Sequence, residues 1–169
     1  VFDFTDPKKP IEIAYFDRGP INPAELTLAG FWSVYWHNGR IYGSEIGRGL
    51  DVLELKPSAM LTQNEIDAAM QVQVSTNNPQ LQQKIVWTPS FAVARAYVDQ
   101  LERGRGLPDA LLTSINASLG MAEQQEGAMR AATLRALATR LDRVVATSSD
   151  AGRVRALAAT VRGLANAAG

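Results

Sequence analysis

Residues 31–55 read "FWSVYWHNGRIYGSEIGRGLDVLEL". Two aromatic, alternating runs, "FWSVYWHN" and "RIYGSEI", flank Asn38-Gly39. That pair tolerates the positive φ a two-residue type I′ turn needs, so the two runs predict a β-hairpin. "GRG" then leads into "LDVLEL", a third strand with Leu50 and Val52 as apolar positions. Alternation places Trp32, Val34 and Trp36 on one face, and Phe31 and Tyr35 on the other.

Working outward, "VFDF" at Val1–Phe4 reads as a short strand. "IEIAYF" alternates again, with Ile11, Ile13 and Tyr15 on one face. "TDPKKP" and "GPINP" are turn and loop chemistry. The front of the chain therefore predicts four antiparallel strands in roughly 45 residues, the spacing of one β-propeller blade, with an entering strand at Val1. A single blade has two open edges and uncovered faces. Further blades upstream, another chain or the helical part is expected to cover it, and the start at Val1 is read as that of a processed or truncated chain.

Aromatic residues crowd the front and none follows Tyr97. The back is rich in alanine and arginine with a helical period. This shift sets a boundary near Pro57 and gives three parts: 1–57, a blade; 58–88, a helix and linker; and 89–169, a helical bundle. Thr62 and Glu65 form a capping-box pattern for a helix to about Val74. Pro89-Ser90 opens a second helix carrying Phe91, Ala94, Val98 and Leu101 on one face. "GRGLPD" ends it and starts a third with Leu111, Leu112, Ile115 and Leu119. Leu134, Leu137, Leu141 and Val144 stripe a fourth. Asp150 caps a fifth, with Val154, Leu157, Val161 and Leu164. The last four are expected to pack as a bundle. The fold class is α+β: an antiparallel blade-type sheet, then a small α-helical bundle.

"VFDFTDPKKPIEIAYFD" resembles the repeat of LVIVD-type bacterial β-propellers: a strand ending in aspartate, a Ser/Thr-Asp-Pro turn, a second proline and a further strand. Asp3, Thr5, Asp6, Pro7, Pro10, Glu12, Ala14 and Phe16 stand at those positions. "WSVYWHNGRIYGSEIGRGLDVLEL" is similar to the second half of that repeat. It departs in its heavier aromatic content and in Glu54, where aspartate is frequent. The resemblance covers residues 1–57. It implies a propeller fold, an extracytoplasmic location (periplasmic, secreted or at the cell surface) and a role in protein–protein interaction. It implies no catalytic residues.

The totals exclude some classes. Seventeen basic residues balance seventeen acidic ones, so no overall charge favours nucleic acid. With no cysteine, thiolate catalysis and zinc-thiolate sites are ruled out. No apolar run approaches the ~20 residues of a membrane helix. "EIGRGL" and "GRGLPD" lack both a phosphate-loop lysine and G-x-G-x-x-G, and G-x-S-x-G is absent. His37, the sole histidine, reads as a turn-flanking residue rather than a ligand. Asp3, Asp6, Asp17, Glu45 and Asp51 are scattered acidic residues near turns. Arg130, Arg135, Arg140, Arg143, Arg153, Arg155 and Arg162 read first as a solvated helix face, and second as a docking surface for an acidic partner.

The expectation is thus a non-enzymatic scaffold binding a protein partner or other subunits of a larger complex, with no cofactor and no metal. Trp32, Tyr35, Trp36, His37 and Tyr42 are its candidate partner-binding residues, against the plainer reading of cross-strand packing. Two alternatives stand beside it: a propeller hydrolase whose active site lies in upstream blades, and a small-ligand module using Trp32 and Trp36.

Overall fold

The structure, a computed structural model, describes residues 1–81 and 84–169. It is mixed α and β. Two compact units divide the chain: one holds Val1–Leu61 and Ala69–Ile85, the other Thr62–Ala68 and Val86–Gly169. The expected helix and linker over 58–88 is shared between them, and its residues 82 and 83 lie outside the described residues.

The helical unit follows the apolar periods closely. Its first turns belong to α1 (Gln63–Met70), then come α2 (Phe91–Arg103), α3 (Asp109–Glu123), α4 (Gly127–Val144) and α5 (Ala151–Ala168). The capping box at α1 is complete: Thr62 Oγ1 accepts the Glu65 N–H at 3.2 Å, and a Glu65 carboxylate oxygen accepts the Thr62 N–H at 2.9 Å. Ser90 caps α2 by accepting the Val93 N–H at 3.1 Å, and Asp150 caps α5 by accepting the Arg153 N–H at 2.9 Å.

Helix α2 packs on α3 and α5, and α4 packs on α3 and α5, so the four close a ring around one core. Val98, Leu101, Ile115, Leu119, Leu134, Leu141, Leu157 and Val161 fill it without exposure. Gly163 sits inside α5 because Pro89 occupies the place its side chain would take. The loops are tied together as well. Ser148 and Ser149 donate to the carbonyls of Gly106 and Arg105 at 2.7 and 3.1 Å, joining the α4–α5 connection to that between α2 and α3.

The other unit holds two separate antiparallel sheets. Strands β3 (Phe31–His37), β4 (Arg40–Glu45) and β5 (Gly49–Leu53) form a meander, while β1 (Phe2–Asp3) pairs only with β2 (Ile11–Glu12). The expected strand "IEIAYF" thus gives two residues to a different ladder instead of a fourth strand to the main sheet. Its next two amides are turned away: Ile13 and Ala14 both donate to the Val1 carbonyl, at 3.0 and 3.4 Å. From Asp17 on, the chain makes local turns, with Asp17 and Asn22 side chains accepting the N–H groups of Gly19 and Ala24 at 2.8 and 2.9 Å.

The Asn38-Gly39 turn forms as its chemistry dictates, with φ of 47° and 86°. The Asn38 amide also pairs with a backbone segment: its Nδ2 donates to the Val74 carbonyl at 2.9 Å, and its Oδ1 accepts the Val74 N–H at 2.8 Å. Met70 lies against Gly39 where a Cβ would stand. Gly39→Ala is therefore expected to lose about 1–2 kcal/mol from the sheet unit, through left-handed strain and displacement of Met70. Denaturant unfolding followed by Trp32 and Trp36 fluorescence, in a Trp87→Phe background, measures this. An unchanged midpoint would refute the account.

Candidate interaction surface

Register assigns each side chain of the meander to a face. Tyr35 pairs with Tyr42, and Tyr42 with Val52; His37 pairs with Arg40; Ser33 pairs with Ser44, and Ser44 with Leu50. These residues share one face, because cross-strand partners point to the same side. The His37 and Tyr42 rings lie 6.4 Å apart on it, and Arg40 forms an ion pair with Glu54 at its end. His37 Nδ1 is buried with no hydrogen-bond partner among the described residues. The opposite face carries Val34, Trp36, Ile41, Gly43, Asp51 and Leu53.

A β-bulge between Phe31 and Ser33 changes the expected alternation. Phe31 pairs with Glu45, and its ring covers Gly43 on the face of Val34 and Trp36, not that of Tyr35. Trp32 becomes the extra residue of the bulge and is 76% exposed. Of the five candidate partner-binding residues, Tyr35, His37 and Tyr42 are brought together, Trp36 faces the other way, and Trp32 stands at the bulge.

Apolar side chains remain open to solvent on both faces: Tyr35 is 44% exposed, Leu50 67% and Val52 53% on one, and Val34 52% on the other. Among the described residues, Leu61 is the single buried apolar side chain of this unit; the rest of the buried core belongs to the helical unit. Three-stranded sheets depend on burying an apolar face, so this sheet has surface to cover.

Glu45 is one of the scattered acids near turns, and the structure gives it an organising role. Its buried carboxylate accepts the N–H groups of Gly30 and Gly47, each at 2.8 Å, and that of Arg48. The Gly30 N–H above all, against the opposing effect of burial, holds the carboxyl below its ordinary pKa. The signal was the glycine two residues on in "SEIGRG", which lets backbone amides converge on a preceding carboxylate. Beside it lies a cavity of about 320 Å³ lined by Phe16, Arg18, Phe31, Glu45 and Arg48. Its charges already have partners: Arg18 makes a fork with Asp51, and Arg48 lies 3.9 Å from Glu45. Glu45 with its acceptors committed to backbone amides is a loop organiser, not a poised general base.

Among the described residues, no three His, Asp or Glu side chains cluster to hold a metal ion, and no helix is long and apolar enough to cross a membrane. No protein-family model matches the chain, and neither do any of the curated proteins or solved structures compared with it.

Proposed function

We propose that the chain is a non-enzymatic interaction module whose sheet unit docks against protein surfaces within a larger assembly. One observation carries this reading: the apolar side chains of the β3–β4–β5 sheet are exposed on both faces, while the helical unit has a complete core of its own. Exposed apolar surface of this kind marks contact sites. A β-propeller-type blade of the LVIVD kind is the finer form of the proposal, because neighbouring blades would cover two faces at once. The extracytoplasmic location belongs to the same reading. Tyr35, Tyr42 and Val52 would anchor one contact, and Val34 and Trp36 the other, as rigid aromatic and branched groups suit buried anchors.

Light scattering of the particle isolated from its native source tests it. The expected mass exceeds that of a chain of 18.3 kDa. Val52→Lys and Val34→Lys are each expected to weaken assembly about tenfold or more, since a buried lysine has no partner there. A monodisperse single chain that stays unassociated would overturn the proposal, and so would full assembly of both variants.

A further inference from the structure

The arginines of the helical unit divide into two kinds. Arg95, Arg103, Arg153 and Arg162 form ion pairs with Glu123, Glu65, Asp150 and Asp142. Arg140 has no carboxylate partner among the described residues. It is nonetheless fixed: Nη1 donates to Ser114 Oγ at 2.9 Å, and Nη2 donates to the Ser114 carbonyl at 3.3 Å and to Ser118 Oγ at 3.1 Å. Its Nε is buried without a hydrogen-bond partner among the described residues. A half-buried guanidinium held by neutral oxygens alone keeps its whole charge uncompensated, in a place where water screens it less than at an open surface. Arg143 stands three residues on, so it neighbours Arg140 on α4, and no ion pair of its own is seen among the described residues.

Both arginines line a groove of about 590 Å³ between α3 and α4, with Ser118 and Thr133 as hydroxyl neighbours and Ala136 and Leu137 as apolar lining. A groove with two cations and an exposed alanine matches a chain whose carboxylates pair with the arginines while its aliphatic stems lie on Ala136.

We propose that this groove binds an acidic segment of a protein partner, with Arg140 as the preorganised anchor and Arg143 as the second contact. The site lies on the helical unit and does not rest on the sheet's proposed role. The plainer alternative is that Arg140 only ties α3 to α4 and Arg143 only complements the C-terminal end of α4.

A labelled hexaglutamate peptide, followed by fluorescence anisotropy on the full chain, separates the two. The expected result is saturable binding that weakens as salt rises, reduced about tenfold or more in Arg140→Gln and about tenfold in Arg143→Glu. Arg155→Gln, an exposed arginine on α5, is expected to bind like the unaltered chain. Arg140→Lys keeps a charge but loses the fork, and is expected to bind weakly too. Should Arg140→Gln fail to fold, Arg143→Glu decides, because Arg143 is exposed. Three outcomes overturn the proposal: no peptide binding, an equal loss in Arg155→Gln, or displacement of the peptide by inorganic phosphate at equal concentration, which would mark a site for small oxyanions instead.

Discussion

Replacing Arg103 with methionine is expected to cost the helical unit about 3 kcal/mol, read as a shift in the urea midpoint of helical circular dichroism. Arg103 grips Glu65 with both terminal guanidinium nitrogens at 2.9 Å; Glu65 is buried and Arg103 half-buried. Removing the cation strands a carboxylate that has little water to turn to. Glu65 also accepts the Thr62 N–H, and Asp99, one turn before Arg103, accepts from Thr62 Oγ1 at 2.6 Å and Asn64 Nδ2 at 2.8 Å. The start of α1 is thus held on α2 by polar contacts that act together, and losing one loosens the rest. The double variant Glu65→Leu with Arg103→Met is expected to recover much of the loss, because it removes both charges. Equal destabilisation of the single and double variants would refute the pair's role.

The pH dependence has a definite sign. Burial pushes the Glu65 carboxyl up, but the Arg103 guanidinium and the Thr62 N–H outweigh it, and the folded-state pKa lies below the ordinary value. A lowered carboxylate pKa contributes stability that is full above the unfolded-state value and is lost as pH falls through the folded one. In Arg103→Met the balance moves toward burial, so Glu65 takes up its proton at higher pH. The gap between variant and unaltered chain is therefore expected to narrow as pH falls through the carboxylate range. A gap that is constant with pH would show that Arg103 acts through packing alone.

The helices were legible because their determinants are local. The stripe Phe91, Ala94, Val98 and Leu101 lies on one face by spacing alone, and Ser90 and Asp150 are caps by chemistry alone. The Asn38-Gly39 turn is local in the same way. What escaped the sequence depends on residues far apart in the chain. Helix α1 ends at Met70 instead of near Val74, since Val74 gives its N–H and carbonyl to the Asn38 side chain. The bulge at Phe31–Ser33 moves Phe31 across the sheet, although alternation reads straight through it. The split into two sheets follows from where the Ile13 and Ala14 amides find an acceptor, and a two-residue period carries no information on which strand answers. Of the candidate site, the residue types were legible and their grouping was not. Tyr35, His37 and Tyr42 converge only in the observed register, and Glu45 acquires its role only when three amides close on it.

Replacing Leu157 with alanine is expected to cost about 3 kcal/mol in the helical unit, measured by the same urea titration. Leu157 is fully buried on α5, which packs against both α2 and α4, so the cavity opens at the centre of the ring where neighbours on two sides are held by their own helices. The cost has two parts, lost transfer of the side chain and incomplete collapse around the hole; a rigid ring keeps the second part large. The contrast with Leu50 makes the result informative. Leu50 is the same side chain on the sheet, mostly exposed. Leu50→Ala is expected to leave the unfolding of the isolated chain within about 0.5 kcal/mol, because little apolar surface returns to water. In the assembled particle, if that face is a contact, the same substitution lowers association instead. A leucine that matters to folding but not to assembly, and one that matters to assembly but not to folding, would separate the helical core from the docking surface. A Leu50→Ala variant as destabilised as Leu157→Ala would show that the sheet face is already covered within the chain, and the interaction reading would lose its ground.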